Sequence, residues 1–460
     1  MRRLLTVFIW LLCLLTAEGK VVKITLPDST QMVYTSSELE SIDIASDGMM
    51  TITTYEGEVI DSIDADLATI EISDEPAVRE TTEMTMTYAD ADLIIGKKRD
   101  MVRMSILYPS TDPDGPLVTL SGVIYVPKDI WEGEKKSKGI MLVNHFTITG
   151  NSECPTEGYV KLESMLMTST SQPDYILVES DFYGFGATRR FPQAYLFGGT
   201  NAQASIDMLR AARSILTSKR INYGRRLFNI GYSAGAYDAV ATMRLARDKY
   251  ADLVQIDHTM VGAGPMSMGK MMDMVIENDT TEYSVSLPMV IYSFNENGHL
   301  GLDYGKVFQG ELAEKLPKLF EDKKYNSMDL CDSIDCDIPS RMFTQEFLDG
   351  KNGDLQKIRN LMEEFDQTKG WQPNPEDRVF YFHCPQDNIV PIECGKMFVA
   401  FLEDNGYTTS RLGWLFTNPD LDVGLMTTME TPLLEHMAGA VSFSKQVHAI
   451  IRAWDKTDEE

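Results

Sequence analysis

The residues of this chain best spaced for chemistry are Gly231-Tyr232-Ser233-Ala234-Gly235. They close the apolar run Leu227-Phe228-Asn229-Ile230. They open a segment in which Ala236, Val240, Met243 and Ala246 recur at helical spacing up to Tyr250. Gly-x-Ser-x-Gly between a strand and a helix is a nucleophile elbow, a turn so sharp that the serine hydroxyl stands above the sheet edge. Both glycines are required sterically, because Cβ atoms there would collide where strand and helix cross.

A serine hydroxyl attacks poorly until a histidine removes its proton, and that histidine needs a carboxylate to fix its tautomer. Around an elbow of this kind the chain order is serine, acid, histidine. With only six histidines in the chain, that order is a strong filter. Asp387 lies in Pro385-Gln386-Asp387-Asn388-Ile389-Val390-Pro391, directly after a buried strand, and only His436 and His448 follow it. His448 sits in mid-helix and reads as structural; His436 reads as a loop residue before the last helix. Ser233, Asp387 and His436 are therefore expected as nucleophile, orienting acid and general base, with Glu393, Asp420 and Asp422 as alternative acids. Backbone donors for an oxyanion are expected at Ala234 and at Phe146 or Thr147, after the strand ending at His145. His145 itself and His383 read as structural. The sequence contains no His-Glu-x-x-His, paired Cys-x-x-Cys or glycine-rich phosphate loop, so neither a metal nor another cofactor is expected.

The elements that must position these residues follow from periodicity. Residues 20–80 alternate apolar and polar with turn signals at Pro27-Asp28, Asp47-Gly48 and Glu56-Gly57, which predicts a small all-β module. Its expected role is that of an accessory domain, with surface or glycan attachment as the alternative. Ser73-Asp74-Glu75-Pro76 reads as a linker, and a second domain is expected over 84–460. That domain opens with a hairpin, Met101–Tyr108 and Leu117–Val126. Strands then follow at Gly139–His145, Tyr175–Val178, Leu227–Ile230, Met260–Pro265, Arg378–His383 and Leu412–Phe416. Helices are expected between them, one beginning with Thr200 as its cap. Strands alternating with helices predict an α/β fold with a mostly parallel, doubly wound sheet. Residues 266–375 break the rhythm with charged helical stretches and prolines, which predicts a helical cap insertion over the site. Met266, Met268, Met271, Met272 and Met274 open it; gap-filling is their ordinary use, an acyl pocket the alternative. Asp349-Gly350-Lys351-Asn352-Gly353-Asp354 misses calcium-ligand spacing and reads as a turn.

At 460 residues and 43% hydrophobic content the chain has ample apolar material for a large core. Residues 1–19 combine Arg2-Arg3, an apolar stretch and Ala17-Glu18-Gly19, the pattern of a signal peptide, too short to span a bilayer. The expected location is therefore outside the cytoplasm, and the residue before Cys13 argues against a lipid anchor. A net charge of −27 disfavours nucleic acid and anionic membranes as partners. Of Cys154, Cys331, Cys336, Cys384 and Cys394, the pair Cys331–Cys336 is the nearest in sequence and the first choice for a disulfide; buried free thiols are the equal alternative.

From about residue 100 to 455 the chain resembles the secretory lipase branch of the α/β-hydrolases. The likeness rests on Tyr108-Pro109-Ser110-Thr111-Asp112, Gly122-Val123-Ile124-Tyr125-Val126-Pro127, Asp181-Phe182-Tyr183-Gly184-Phe185-Gly186, the elbow, Ala263-Gly264-Pro265, and His436 with Ala440. The resemblance implies hydrolysis of carboxylic esters by a serine and a helical cap after Ala263-Gly264-Pro265. The chain departs from the family at His145-Phe146, where His-Gly is frequent, and near Ala234. The expected activity is that of a secreted esterase or lipase-like hydrolase acting on a small-molecule, lipid or glycan ester through an acyl-enzyme. A peptidase of the prolyl-oligopeptidase type, an acetyl or feruloyl esterase, and a surface binding protein on a hydrolase scaffold are the alternatives.

Overall fold

The computed structural model describes residues 19–90, 93–157, 173–417 and 434–457. The expected signal peptide, Cys13, Asp420 and Asp422 lie outside them. Two small antiparallel sheets come first. One joins β1 (Val21–Thr25), β2 (Gln31–Thr35) and β6 (Thr69–Ser73). The other joins β3 (Leu39–Ile44), β4 (Met49–Thr54) and β5 (Val59–Asp64). The period-two pattern puts Val22, Ile24, Leu39, Ile42, Met50 and Ile52 on facing sides, where they form a core of their own.

The large sheet has nine strands in the order β15-β14-β13-β12-β10-β11-β9-β8-β7. Its antiparallel edge is β7 (Ala77–Asp90), β8 (Leu93–Thr111) and β9 (Leu117–Pro127). Its parallel part is β10 (Ser137–Asn144), β11 (Tyr175–Ser180), β12 (Tyr223–Tyr232), β13 (His258–Gly262), β14 (Val379–His383) and β15 (Leu412–Phe416). β7 begins at Ala77, so this sheet starts before residue 84, within the last residues given to the expected module. Buried on both faces, the central strands are continuous apolar runs, as β10 shows with Ile140, Met141, Leu142 and Val143 all inaccessible to water.

Helices α1 (Gly198–Ser218) and α2 (Ala234–Tyr250) pack on each other and on this sheet. Thr200 is not the cap of α1. The helix starts two residues earlier with Phe197 as its cap, where Gly198 lets the backbone close on the Tyr237 side chain. Between β13 and β14 the chain is helical, through α3 (Met268–Asn278), α4 (Ser286–Asn297), α5 (Leu312–Asp322), α6 (Ser327–Ile334) and α7 (Asp354–Glu364). Tyr292 against Phe320, and Phe343 against Phe308 and Phe347, give this insertion an aromatic centre. The expected Cys331–Cys336 disulfide is absent: all five described cysteines are free. The Cys331 thiol lies against the Ser284–Val285 backbone, while Cys336 Sγ faces the Ile338 carbonyl at 3.6 Å. The last elements are α8 (Ile392–Asp404) and α9 (Leu434–Thr457). No described helix is long and apolar enough to cross a membrane.

Candidate active site

Ser233 sits between β12 and α2 with φ 56° and ψ −127°, a conformation that non-glycine residues avoid. Such strain costs on the order of 1–3 kcal/mol and persists only where the surroundings impose it. Here the Ser233 N–H donates to the Gly262 carbonyl at 2.8 Å, and the two flanking glycines make the turn sterically possible. A Cβ on Gly231 would lie 2.0 Å from the Gly235 carbonyl oxygen, and one on Gly235 would lie 2.1 Å from that of Asn144. Gly235 thus also brings the loop after β10 against the start of α2.

Ser233 Oγ is 2.9 Å from His436 Nε2, and His436 Nδ1 is 2.7 Å from Asp387 Oδ2. The three residues come from separate segments and are nearly hidden from solvent. Asp387 is fixed from both ends. Its Oδ1 accepts the N–H groups of Ile389 and Val390, each at 2.9 Å, so Oδ2 is left for the imidazole. Burial by itself pushes this carboxyl up, yet the neighbouring His436 and His383 hold it well below the usual carboxylate range. His436 is not in a loop as expected but in the first turn of α9. The Tyr232 hydroxyl donates to its carbonyl at 2.7 Å and fixes that turn.

His383 backs the acid loop. Its Nε2 donates to the Val390 carbonyl at 2.9 Å and lies 3.5 Å from Asp387 Oδ2. His448 is buried within α9, and Glu393 lies in the first turn of α8. The backbone N–H of Ala234 has no acceptor among the described residues, as expected at the first position of a helix. Of the two loop candidates, Thr147 borders both the cavity that holds Ser233 and a second cavity, whereas Phe146 borders only the second. His145 packs on Phe182 there, and burial lowers its pKa.

The Ser233 cavity encloses about 550 Å³ including its mouth. Met268, Met271, Met272 and Val275 of α3, Leu287 and Val290 of α4, and Met362 of α7 make it apolar. Three of the five methionines at the start of the insertion therefore face this space. Tyr195 has no motif that marks it in the sequence; Tyr232 and His383 lie close to Ser233 and Asp387 in the chain, but their contacts with the His436 carbonyl and the Asp387 carboxyl are not marked there. Among the described residues, no three His, Cys, Asp or Glu side chains are grouped to hold a metal.

A nine-stranded, mostly parallel sheet with a serine elbow and a helical insertion over its carboxyl edge defines an α/β-hydrolase. The family model described as secretory lipase matches residues 154–407, more than half of the chain, and the chain belongs to that family. In fold it is similar to the rice cell wall degrading esterase LipA from Xanthomonas oryzae, at TM-score 0.66 and 18% identity over 80% of this chain and 96% of that one. A putative hydrolase from Legionella pneumophila gives TM-score 0.65 and 16% identity over 82% and 98% of the two chains. Candida antarctica lipase A gives TM-score 0.53 and 14% identity over 72% and 74%. No curated protein matches the sequence. Family membership supports ester hydrolysis.

Proposed function

We propose that this protein is an exported serine esterase that cleaves carboxylic esters with an apolar acyl group through an acyl-enzyme. The observation that carries the proposal is the continuous pair of contacts from Ser233 Oγ to His436 Nε2 and from His436 Nδ1 to Asp387 Oδ2. In the first step His436 Nε2 takes the Ser233 proton as Oγ bonds to the ester carbonyl carbon. Asp387, kept charged, holds Nδ1–H toward itself and stabilises the imidazolium. The tetrahedral oxyanion accepts the N–H of Ala234 and that of Phe146 or Thr147. His436 then protonates the departing alkoxide, and a water molecule repeats the sequence on the acyl-enzyme. The apolar wall over Ser233 suits an acyl chain better than a peptide backbone, whose polar groups would lose their water there. Export follows from reading residues 1–19 as a signal peptide.

A panel of p-nitrophenyl esters from acetate to decanoate, beside aminoacyl anilides, tests this reading with the wild type and Ser233→Ala. Ester turnover lost in the variant is expected. Full turnover by Ser233→Ala, or faster turnover of anilides than of esters, would refute it.

A further inference from the structure

We propose that the Thr147 hydroxyl is a third donor to the oxyanion, held in its donating orientation by the Tyr195 hydroxyl. The proposal rests on the esterase reading above and extends the oxyanion site from backbone groups to a side chain.

Thr147 Oγ1 and the Tyr195 hydroxyl oxygen are 2.9 Å apart. Both residues border the cavity that contains Ser233 and Ala234. Neither hydroxyl has a second partner among the described residues. Two hydroxyls facing each other carry two protons, one of which lies between them and the other of which is free. A phenol donates more strongly, and accepts more weakly, than an aliphatic alcohol. The shared proton therefore belongs to Tyr195, and the free one to Thr147. Burial raises the ionisation of Tyr195 far above neutrality, so its proton stays in place at working pH.

The Tyr195 segment is itself anchored. The Ala194 N–H donates to the Tyr183 carbonyl at 3.2 Å, and the Ala194 carbonyl accepts Asn201 Nδ2 at 3.0 Å. With its oxygen engaged by Tyr195, the Thr147 rotor keeps its own hydrogen free, and the Ser233 cavity is one of the two spaces that Thr147 borders. A donor fixed in this way gains most when charge develops on the carbonyl oxygen, so its effect belongs to the transition state. Tyr195 touches Thr147 rather than the reacting atoms, which makes it a positioning residue.

The test is kcat and KM on p-nitrophenyl butyrate for the wild type, Thr147→Val, Thr147→Ser, Tyr195→Phe and the Thr147→Val/Tyr195→Phe double variant. Thr147→Val is expected to lower kcat about 10- to 100-fold while KM stays within about threefold. Thr147→Ser is expected to remain within about threefold of wild type. Tyr195→Phe should lower kcat by less, and the double variant should be no slower than Thr147→Val alone, because Tyr195 acts through Thr147. A Thr147→Val enzyme within about twofold of wild-type kcat, or two single effects that multiply in the double variant, would overturn the proposal. Should Thr147→Val not fold, Tyr195→Phe decides: lowered kcat with KM held supports the proposal, and unchanged kcat overturns it. A wild type without ester turnover refutes the esterase reading and this proposal with it, whereas an active wild type with an indifferent Thr147 refutes only the latter.

Discussion

Asp387 and His436 meet at 2.7 Å in a fixed geometry, because the Asp387 oxygen not facing the imidazole is held by the N–H groups of Ile389 and Val390. The acid loop therefore orients the histidine rather than following it. Asp387→Asn would leave the fold in place but favour the wrong imidazole tautomer. We expect kcat to fall about 10³- to 10⁴-fold with an unchanged circular dichroism spectrum, measured by steady-state ester hydrolysis.

The apolar cavity predicts chain-length selectivity. Met271 lines it and is only partly buried, so a larger side chain is tolerated there without disturbing the core. Met271→Trp should reduce kcat/KM on a decanoate ester at least about tenfold and leave the acetate ester within about twofold. Equal losses on both esters would mean that the chain does not enter this space.

Lys323, just after α5, ties the insertion to the body. Its ammonium is almost completely buried and donates to the carbonyls of Arg189 and Phe191. Burial pushes its pKa down to about 7. The strap it holds also reaches the small β sheets, where Arg189 pairs with Glu56 and the Arg190 guanidinium lies 4.2 Å over the Tyr55 ring. Lys323→Met leaves two carbonyls without this donor and should cost about 1–3 kcal/mol of stability. Hydrogen exchange over 312–334 should rise first; exchange unchanged there would show that the latch holds nothing.

Asp238 lies one turn beyond Ala234, with its carboxyl buried against Asn201 Nδ2 at 3.1 Å. Burial raises its pKa to about 7, against about 3.9 for an unfolded aspartate. Between these values the native state holds a proton that the unfolded chain has released. Its contribution is thus full below the unfolded pKa and is lost as pH rises through the folded one. Asp238→Asn removes this dependence, so its urea midpoint should fall less than the wild type's between pH 5 and about pH 8. Parallel curves would contradict the assignment.

Much of this was legible in the sequence, for identifiable reasons. The elbow is a local pattern whose glycines answer a local collision, so Ser233 and its flanking strand and helix are found where expected. Asp387 and His436 were accessible because chain order left few candidates. The start of α9 was not: the last helix is expected only after His436, yet it begins at Leu434, with the Tyr232 hydroxyl donating to the His436 carbonyl in its first turn. Thr200 has the chemistry of a cap, but the close approach of Gly198 to Tyr237 starts α1 earlier. Sequence proximity suggested a Cys331–Cys336 bond, while the two thiols face different neighbours. Tyr195 gains its place beside Thr147 only from the meeting of two loops distant in the chain.

The most direct test of an activated Ser233 is intact-protein and peptide mass spectrometry after treatment with a fluorophosphonate, with Ser233→Ala in parallel. The account predicts one adduct per wild-type chain, located on Ser233, and none on the variant. An unlabelled wild type, or an adduct that persists in Ser233→Ala, would contradict it.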